Sequence, residues 1–397
     1  MLRVGVALAA ATAIGFGFTY SDQAALVPLL GAELGLTDVQ AGFLSTALFL
    51  AYLAATLFTT GLPDRFGPKP VIAAGLAAAV LGTAIFAVAT SFPLVLVAKA
   101  IQGTGSALAF VASNRFIAGL YGARQAHFGL GLYGGGFPLG SALALLATPS
   151  IATALGGWRA SFAAEAVGLG VLLVIWFVAA PPVAAVRREG SMLDALRCAN
   201  CWLVSLQHAA GFGMAIAAGA WITVYLLREF SLPLALSGLL GSLLLLLAFV
   251  TRPVGGLLVT RGLLETKAVM RLGDLAVVGG VALLAIPERP LVVALAGAIV
   301  LGFGVGLPYA AVFNTAAASL PGAPGAGQGL AAIGGTAGVM VGAPAMGYAV
   351  QTWGFGAAWA FVGLVGAAAL AGSLVMHGEE DLALGAVRRE REGRGRR

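Results

Sequence analysis

The chain is a succession of apolar runs, most of them roughly 20 residues or longer, separated by short polar punctuation. A helix of that length, rising 1.5 Å per residue, crosses the ~30 Å hydrocarbon core of a bilayer. The 397 residues are 60% hydrophobic and only 10% charged, where soluble domains carry about 25% charged residues. So few charges cannot cover the surface of a water-soluble globule of this size, which excludes a soluble enzyme. The first apolar run extends to about Leu30 with no small-residue cleavage pattern behind it. It therefore reads as a retained span and not as a signal peptide.

Twelve helical spans are predicted, over residues 4–30, 41–60, 71–90, 94–121, 128–152, 162–180, 202–230, 234–250, 269–286, 291–319, 329–350 and 356–377. The longest internal polar stretch, 181–200, carries Arg187, Arg188, Glu189, Asp194 and Arg197 and divides them six and six. The expected organisation is a half at 1–180, a cytoplasmic linker at 181–200, a second half at 201–377 and a charged cytoplasmic tail at 378–397.

The basic residues orient the spans. With both termini in the cytoplasm, 18 of the 22 Lys and Arg fall on the cytoplasmic side, Arg159, Arg228 and Arg289 fall outside, and Lys99 stays within span 4. That bias satisfies the positive-inside rule and places the chain in the cell (inner) membrane. The net charge of +6 is thus a matter of topology, and no nucleic-acid partner is expected. The tail beyond Glu379 reads as a juxtamembrane segment near anionic lipid.

The two halves echo each other. Thr60–Arg65, after span 2, is matched by Gly256–Arg261 after span 8; Pro149 in span 5 by Pro344 in span 11; and Gly157-Trp158 before span 6 by Gly354-Phe355 before span 12. Parallel six-helix halves with a solute site between them are a transporter architecture.

The motifs themselves resemble the major facilitator superfamily along essentially the whole chain. The pattern Gly-x-Leu-x-Asp-Arg-x-Gly-x-Lys appears as Gly61-Leu62-Pro63-Asp64-Arg65-Phe66-Gly67-Pro68-Lys69 inside its longer frame, with Thr60 at the first glycine. A second pattern, Arg-x-x-Gln-Gly-x-Gly, appears as Lys99-Ala100-Ile101-Gln102-Gly103-Thr104-Gly105. The resemblance implies the major facilitator fold: an all-α integral membrane protein of twelve transmembrane helices in two pseudo-symmetric halves. It also implies a cytoplasmic gate of Asp64, Arg65, Lys69 and Arg115, with Arg252, Arg261 and Asp274 in the second half. Arg252-Pro253-Val254-Gly255-Gly256 and the Gly-rich run from Gly325 to Gly347 resemble the nitrate/nitrite porter branch. The chain departs from that branch at Thr59 and Thr60, where an arginine is expected, and at Phe137-Pro138, where an asparagine is expected.

An ionisable side chain within a span costs a few kcal/mol and defaults to a functional role. Asp22 in span 1 and Lys99 in span 4 fall at similar depth in antiparallel helices, so they are expected to meet. Asp22 is the expected proton carrier, with Lys99 tuning its proton affinity, and a static pair that locks the helices is the alternative. Glu165, near the outer end of span 6, is a second proton candidate, with snorkelling to the interface as the plainer reading. Lys99, Gly103, Ser106, Phe110 and Asn114 recur at helical spacing and suit either a cavity wall or close helix packing.

Candidate substrate contacts are Tyr20, Gln102, Asn114, Gln207, His208, Trp221, Tyr225, Tyr309 and Asn314. Gly302, Gly304, Gly306 and Pro308 predict an interrupted helix in span 10. Cys198 and Cys201 form a lone CxxC at a helix start, read as two small packing residues. No cofactor, metal cluster or enzymatic constellation is expected, and the glycine runs lie in spans and not in a phosphate-binding loop. The function expected is secondary transport by alternating access in a functional monomer, driven by protons and moving a small organic solute. An uptake porter for a small anion stands as the alternative, and a non-transporting sensor ranks third.

Overall fold

The computed structural model describes residues 2–59, 62–121, 126–183 and 192–384, with side chains left out at 57, 64, 118, 121 and 126–131. Among the described residues every regular element is helical. Among the described residues twelve helices are long and apolar enough to cross a membrane. In the first half they are span 1 Leu2–Leu34, span 2 Asp38–Thr56, span 3 Pro68–Ala87, span 4 Phe92–Ile117, span 5 Leu132–Leu155 and span 6 Trp158–Ala179. In the second they are span 7 Ala199–Phe230, span 8 Leu234–Thr260, span 9 Thr266–Ala285, span 10 Leu291–Ser319, span 11 Pro324–Trp353 and span 12 Phe355–Leu384. The protein is a multi-pass membrane protein of two six-helix halves.

One boundary moves substantially. Span 8 was expected to stop at residue 250, before Arg252-Pro253, yet its helix continues to Thr260 with Pro253 inside it. Proline is tolerated within membrane helices because neighbouring helices and side chains satisfy the backbone groups it frees. Arg252 therefore lies in the body of the span and not at its end.

Spans 1, 7 and 10 depart from regular α-helix within their length. Span 1 is helical from Leu2 to Ser21, turns at Asp22 and Gln23, passes through a 3-10 turn Ala24–Leu26 and resumes as Val27–Leu34. Span 7 carries a π-helical turn at Ala209–Gly213. Span 10 runs as Leu291–Gly306 and Tyr309–Ser319, so its interruption falls where Gly306 and Pro308 predict it. Broken membrane helices recur where backbone lines or builds a binding site.

Packing sorts the chain into two compact units that cut across the sequence halves. One comprises Met1–Arg187, Ile216–Phe249 and Val339–Ala358; the other comprises Arg188–Ala215, Val250–Gly338 and Trp359–Arg397. The first unit thus takes in one end of spans 7, 8 and 11. Within it the repeat is visible as contact. A Cβ on Gly42 of span 2 would lie 2.6 Å from Pro344 Cα in span 11, and one on Gly238 of span 8 would lie 2.6 Å from Pro149 Cγ in span 5. The repeat-related prolines each receive a glycine from the opposite half, an exchange only a residue without a side chain permits. Gly157 (φ +138°) and Gly354 (φ +86°) likewise make the turns into spans 6 and 12.

Within the second unit, spans 9 and 10 pack closely, with Val269 and Met270 against Leu307, Ala311 and Val312. Arg124, Arg187, Arg188, Glu189 and the arginines after residue 384 lie outside the described residues, as does the side chain of Asp64.

Candidate functional site

The break in span 1 carries Asp22, and the groups around it come from four spans. Lys99 Nζ is bonded to Asp22 Oδ1 and donates to the Thr19 carbonyl at 2.9 Å, on the last turn before the break. One ammonium thus serves both the carboxylate and the end of the interrupted helix. Gln102, one turn along span 4, donates to Asp22 Oδ2 at 3.2 Å and to Thr83 Oγ1 of span 3 at 2.8 Å. Asp22, Lys99 and Gln102 are fully buried. Lys99 Nζ also sits 5.5 Å from the centre of the Phe86 ring, a cation–π placement.

Glu165 completes the cluster, and the snorkelling reading fails. Its carboxyl lies close enough to Asp22 and Lys99 to interact with both charges, and its Oε1 is a buried atom with no hydrogen-bond partner. Trp158, Phe162 and Glu165 follow at helical spacing on one face of span 6. The first two are buried against Phe86, at 6.0 and 4.0 Å between ring centres, so the face that carries Glu165 points inward. That spacing was the available signal, and it outweighs distance from the end of the helix.

Next to the cluster, Tyr20 shares a 2.6 Å hydrogen bond with Ser106 and begins a chain of rings. Phe49 lies 4.8 Å and Phe137 5.6 Å from Tyr20, while Tyr133 is 5.2 Å from Phe137 and Phe110 is 6.1 Å from Tyr52. Of these, Phe49, Tyr52 and Tyr133 were not singled out in the sequence, because no local pattern joins rings from spans 1, 2, 4 and 5. The small-residue face of span 4 packs closely: a Cβ on Gly103 would meet the Leu48 carbonyl of span 2. Asn114 is turned back to the Phe110 carbonyl of its own helix at 2.9 Å.

The second unit holds a different constellation. Gln207 donates to Asp274 Oδ2 at 3.0 Å and to the Ala369 carbonyl at 2.7 Å. Asp274 is buried, so it braces spans 7, 9 and 12 instead of standing at an exposed gate. The guanidinium of Arg252 lies over the Tyr309 ring, 4.0 Å from its centre, and is itself buried. His208 stacks on Phe212 and packs edge-on to Phe313, with ring centres 5.4 and 4.9 Å apart, and its ring is 6.0 Å from that of Tyr309. Asn314 is exposed.

The remaining predicted residues scatter. Trp221 donates to the Ala343 carbonyl at 3.0 Å and Tyr225 packs on Phe230 and Phe355, both fully buried as links between spans 7, 11 and 12. Arg65 and Arg261 are exposed, and Arg115 is half-buried. Lys69 donates to the Ala180 carbonyl at 2.6 Å and accepts from Trp176 Nε1 at 3.1 Å, which ties span 3 to span 6 within one half.

At the opposite end of the spans a latch appears that the sequence did not disclose. Arg228, ending span 7, clasps Asp38, starting span 2, through two bonds of 2.7 and 2.8 Å. Gln351 of span 11 accepts from the Val39 N–H at 3.4 Å, and Thr46 donates to the Met340 carbonyl at 2.8 Å. On the same side, Glu33 accepts from Trp158 Nε1 at 2.6 Å and pairs with Arg159.

Comparison with known proteins agrees with this architecture. Residues 7–326 match the Major Facilitator Superfamily. Among relatives, a probable nitrate/nitrite antiporter NarK1 of Thermus thermophilus is 28% identical over 251 residues, 58% of this chain and 55% of that protein. A chloramphenicol resistance protein of Pseudomonas aeruginosa is 27% identical over 283 residues, 66% of this chain and 63% of that protein. The matches thus span roughly half to under two thirds of these relatives' lengths. The crystal structure of a D-xylose-proton symporter superposes with a TM-score of 0.80 at 14% identity, covering 96% of this chain and 99% of that one. The chain belongs to the Major Facilitator Superfamily.

Proposed function

We propose that this protein is a proton-coupled secondary transporter of the cell membrane that works by alternating access as a monomer and moves a small organic solute. The observation that carries the reading is the buried Asp22–Lys99 ion pair with a second carboxyl, Glu165, placed beside it. Two buried carboxyl groups beside a single ammonium favour a proton on one of them, because neighbouring like charges in a buried site disfavour each other. With one proton shared, the cluster of two acids and one ammonium is neutral overall, and losing the proton leaves a net negative charge in a buried site. That difference in charge is what a proton-driven cycle needs to bias one conformation over another. The break in span 1 supplies a hinge at the same residue.

In this reading both termini are cytoplasmic, and the Asp38–Arg228 clasp is the outer gate in its closed position. Solute recognition falls to the ring cluster of Tyr20, Phe49, Tyr52, Phe110, Tyr133 and Phe137, whose faces suit a flat or amphiphilic organic molecule.

The anion reading survives in altered form. Lys99 is fully buried and bonded to Asp22, so it is spent on the carboxylate. Arg252, over Tyr309 and near His208, is the cation that supports an anionic cargo, in keeping with a probable nitrate/nitrite antiporter among the relatives.

The test is uptake by proteoliposomes of a compound panel under an imposed pH gradient. Accumulation of an organic solute that collapses when the gradient is dissipated is expected. Flux indifferent to the gradient contradicts coupling, and saturable uptake of small inorganic anions alone selects the anion reading.

A further inference from the structure

The CxxC at the start of span 7 has more chemistry than a packing role. Cys198 is the N-cap of the helix, with extended backbone (φ −86°, ψ 105°), and its Sγ accepts from the Cys201 N–H at 3.3 Å. Cys201 is fully buried among Ala195, Ala323, Ala326 and Leu330. Cys198 is half-buried and opens onto a cavity of about 510 Å³ that Asp194, Arg197, Ser319 and Gly322 also line. One accessible thiol thus caps the helix turn that carries one shielded thiol, beside a space large enough for a small reagent.

We propose that Cys198 and Cys201 form a reversible redox modification site that reacts with low-molecular-weight disulfides, Cys198 as the first nucleophile and Cys201 as the resolving thiol. In the first step the Cys198 thiolate attacks one sulfur of the small disulfide. That S–S bond breaks, and the departing thiolate takes up the proton Cys198 has lost. In the second step Cys201 gives up its proton and attacks Cys198 Sγ, forming the intramolecular disulfide and expelling the second small thiol. Two cysteine thiols are oxidised, one small disulfide is reduced to two thiols, and excess small dithiol reverses the exchange. Access decides the order, since only Cys198 can be approached from the cavity. Helix geometry supplies the reach, since residues three apart in a first turn are neighbours.

The location gives the reaction something to act on. The Cys198 thiol approaches the Ser319 carbonyl at 3.8 Å, and Asn200 bonds both Ser319 Oγ at 2.7 Å and the His377 carbonyl at 2.9 Å. The pair therefore sits where the start of span 7 is tied to the ends of spans 10 and 12. The inference is independent of the solute and of proton coupling.

The test exposes the purified full chain in detergent to oxidised glutathione, quenches with acid, and reads the Cys198–Cys201 peptide by mass. The expected result is loss of both thiols with a mass lower by two hydrogens, restored by dithiothreitol. In Cys201→Ala, which suits the alanine-lined site, glutathione should remain trapped on Cys198. In Cys198→Ser, which keeps a capping oxygen, Cys201 should react about tenfold more slowly or not at all. The proposal is overturned if the wild type keeps both thiols, if it holds glutathione as stably as Cys201→Ala, or if Cys201 reacts at its usual rate without Cys198.

Discussion

The two halves agree in scaffold and differ in charge. In scaffold they are near copies: Pro149 and Pro344 each receive an opposing glycine, and Gly157 and Gly354 make equivalent turns. In charge they diverge. The first half gathers a bonded acid and base at the break in span 1, with a second acid, Glu165, beside them. The second half gives its acid a neutral partner, Gln207 on Asp274, and sets its arginine on an aromatic ring. Geometry shared by both halves is what a rocking motion requires. On the proposed reading, the asymmetry of charge puts proton uptake in the first half, beside the ring cluster proposed to meet the solute.

The strongest way to break this comparison is to neutralise one acid in each half. Asp22→Asn should abolish solute accumulation driven by a pH gradient while leaving solute exchange intact. It should also destabilise the protein by about 3–5 kcal/mol, because Lys99 is left buried without its carboxylate. The double variant Asp22→Asn/Lys99→Met should recover most of that stability in thermal unfolding without recovering coupling. Asp274→Asn keeps a partner for Gln207, so gradient-driven accumulation should stay within about a factor of two of wild type. A loss equal to that of Asp22→Asn would mean that both halves carry protons.

A smaller effect tests the shared scaffold. Gly42→Ala and Gly238→Ala should each force the span 2–span 11 or span 8–span 5 contact apart, at a cost of about 1–3 kcal/mol. Distance measurements between labels at the Asp38 end should show the separated population rising in both variants by similar amounts. If only one responds, the exchange is not symmetric in energy. Smallest of all, Arg228→Ala removes a partly exposed clasp, worth roughly 0.2–1 kcal/mol, so the same distances should shift population by at most about fivefold. Exchanging the two charges, Asp38→Arg with Arg228→Asp, should restore it.

Much of this was legible from residue order. Segment length and the scarcity of charge predict the twelve spans, because lipid leaves a chain few ways to satisfy its backbone. Depth arithmetic pairs Asp22 with Lys99, since two straight antiparallel helices have one free parameter. Glu165 was harder: its depth suggested the interface, and only its register with Trp158 and Phe162 directs it inward. Arg252 was misjudged because a proline beside an arginine reads as a helix end in water, whereas span 8 continues through it. The Asp38–Arg228 clasp was illegible, since two helix-end charges 190 residues apart carry no pattern that names each other as partners. Trp221 and Tyr225 look like solute contacts in a linear reading and lie buried against spans 11 and 12, and aromatic spacing does not say which neighbour a ring meets.

The central claim is that Asp22 and Glu165 share one exchangeable proton, and infrared difference spectroscopy of the protein in liposomes tests it without knowledge of the solute. A pH titration should reveal a protonated-carboxyl C=O band that disappears in both Asp22→Asn and Glu165→Gln, while Asp274→Asn retains it. A band that persists unchanged in the first two variants would contradict the account.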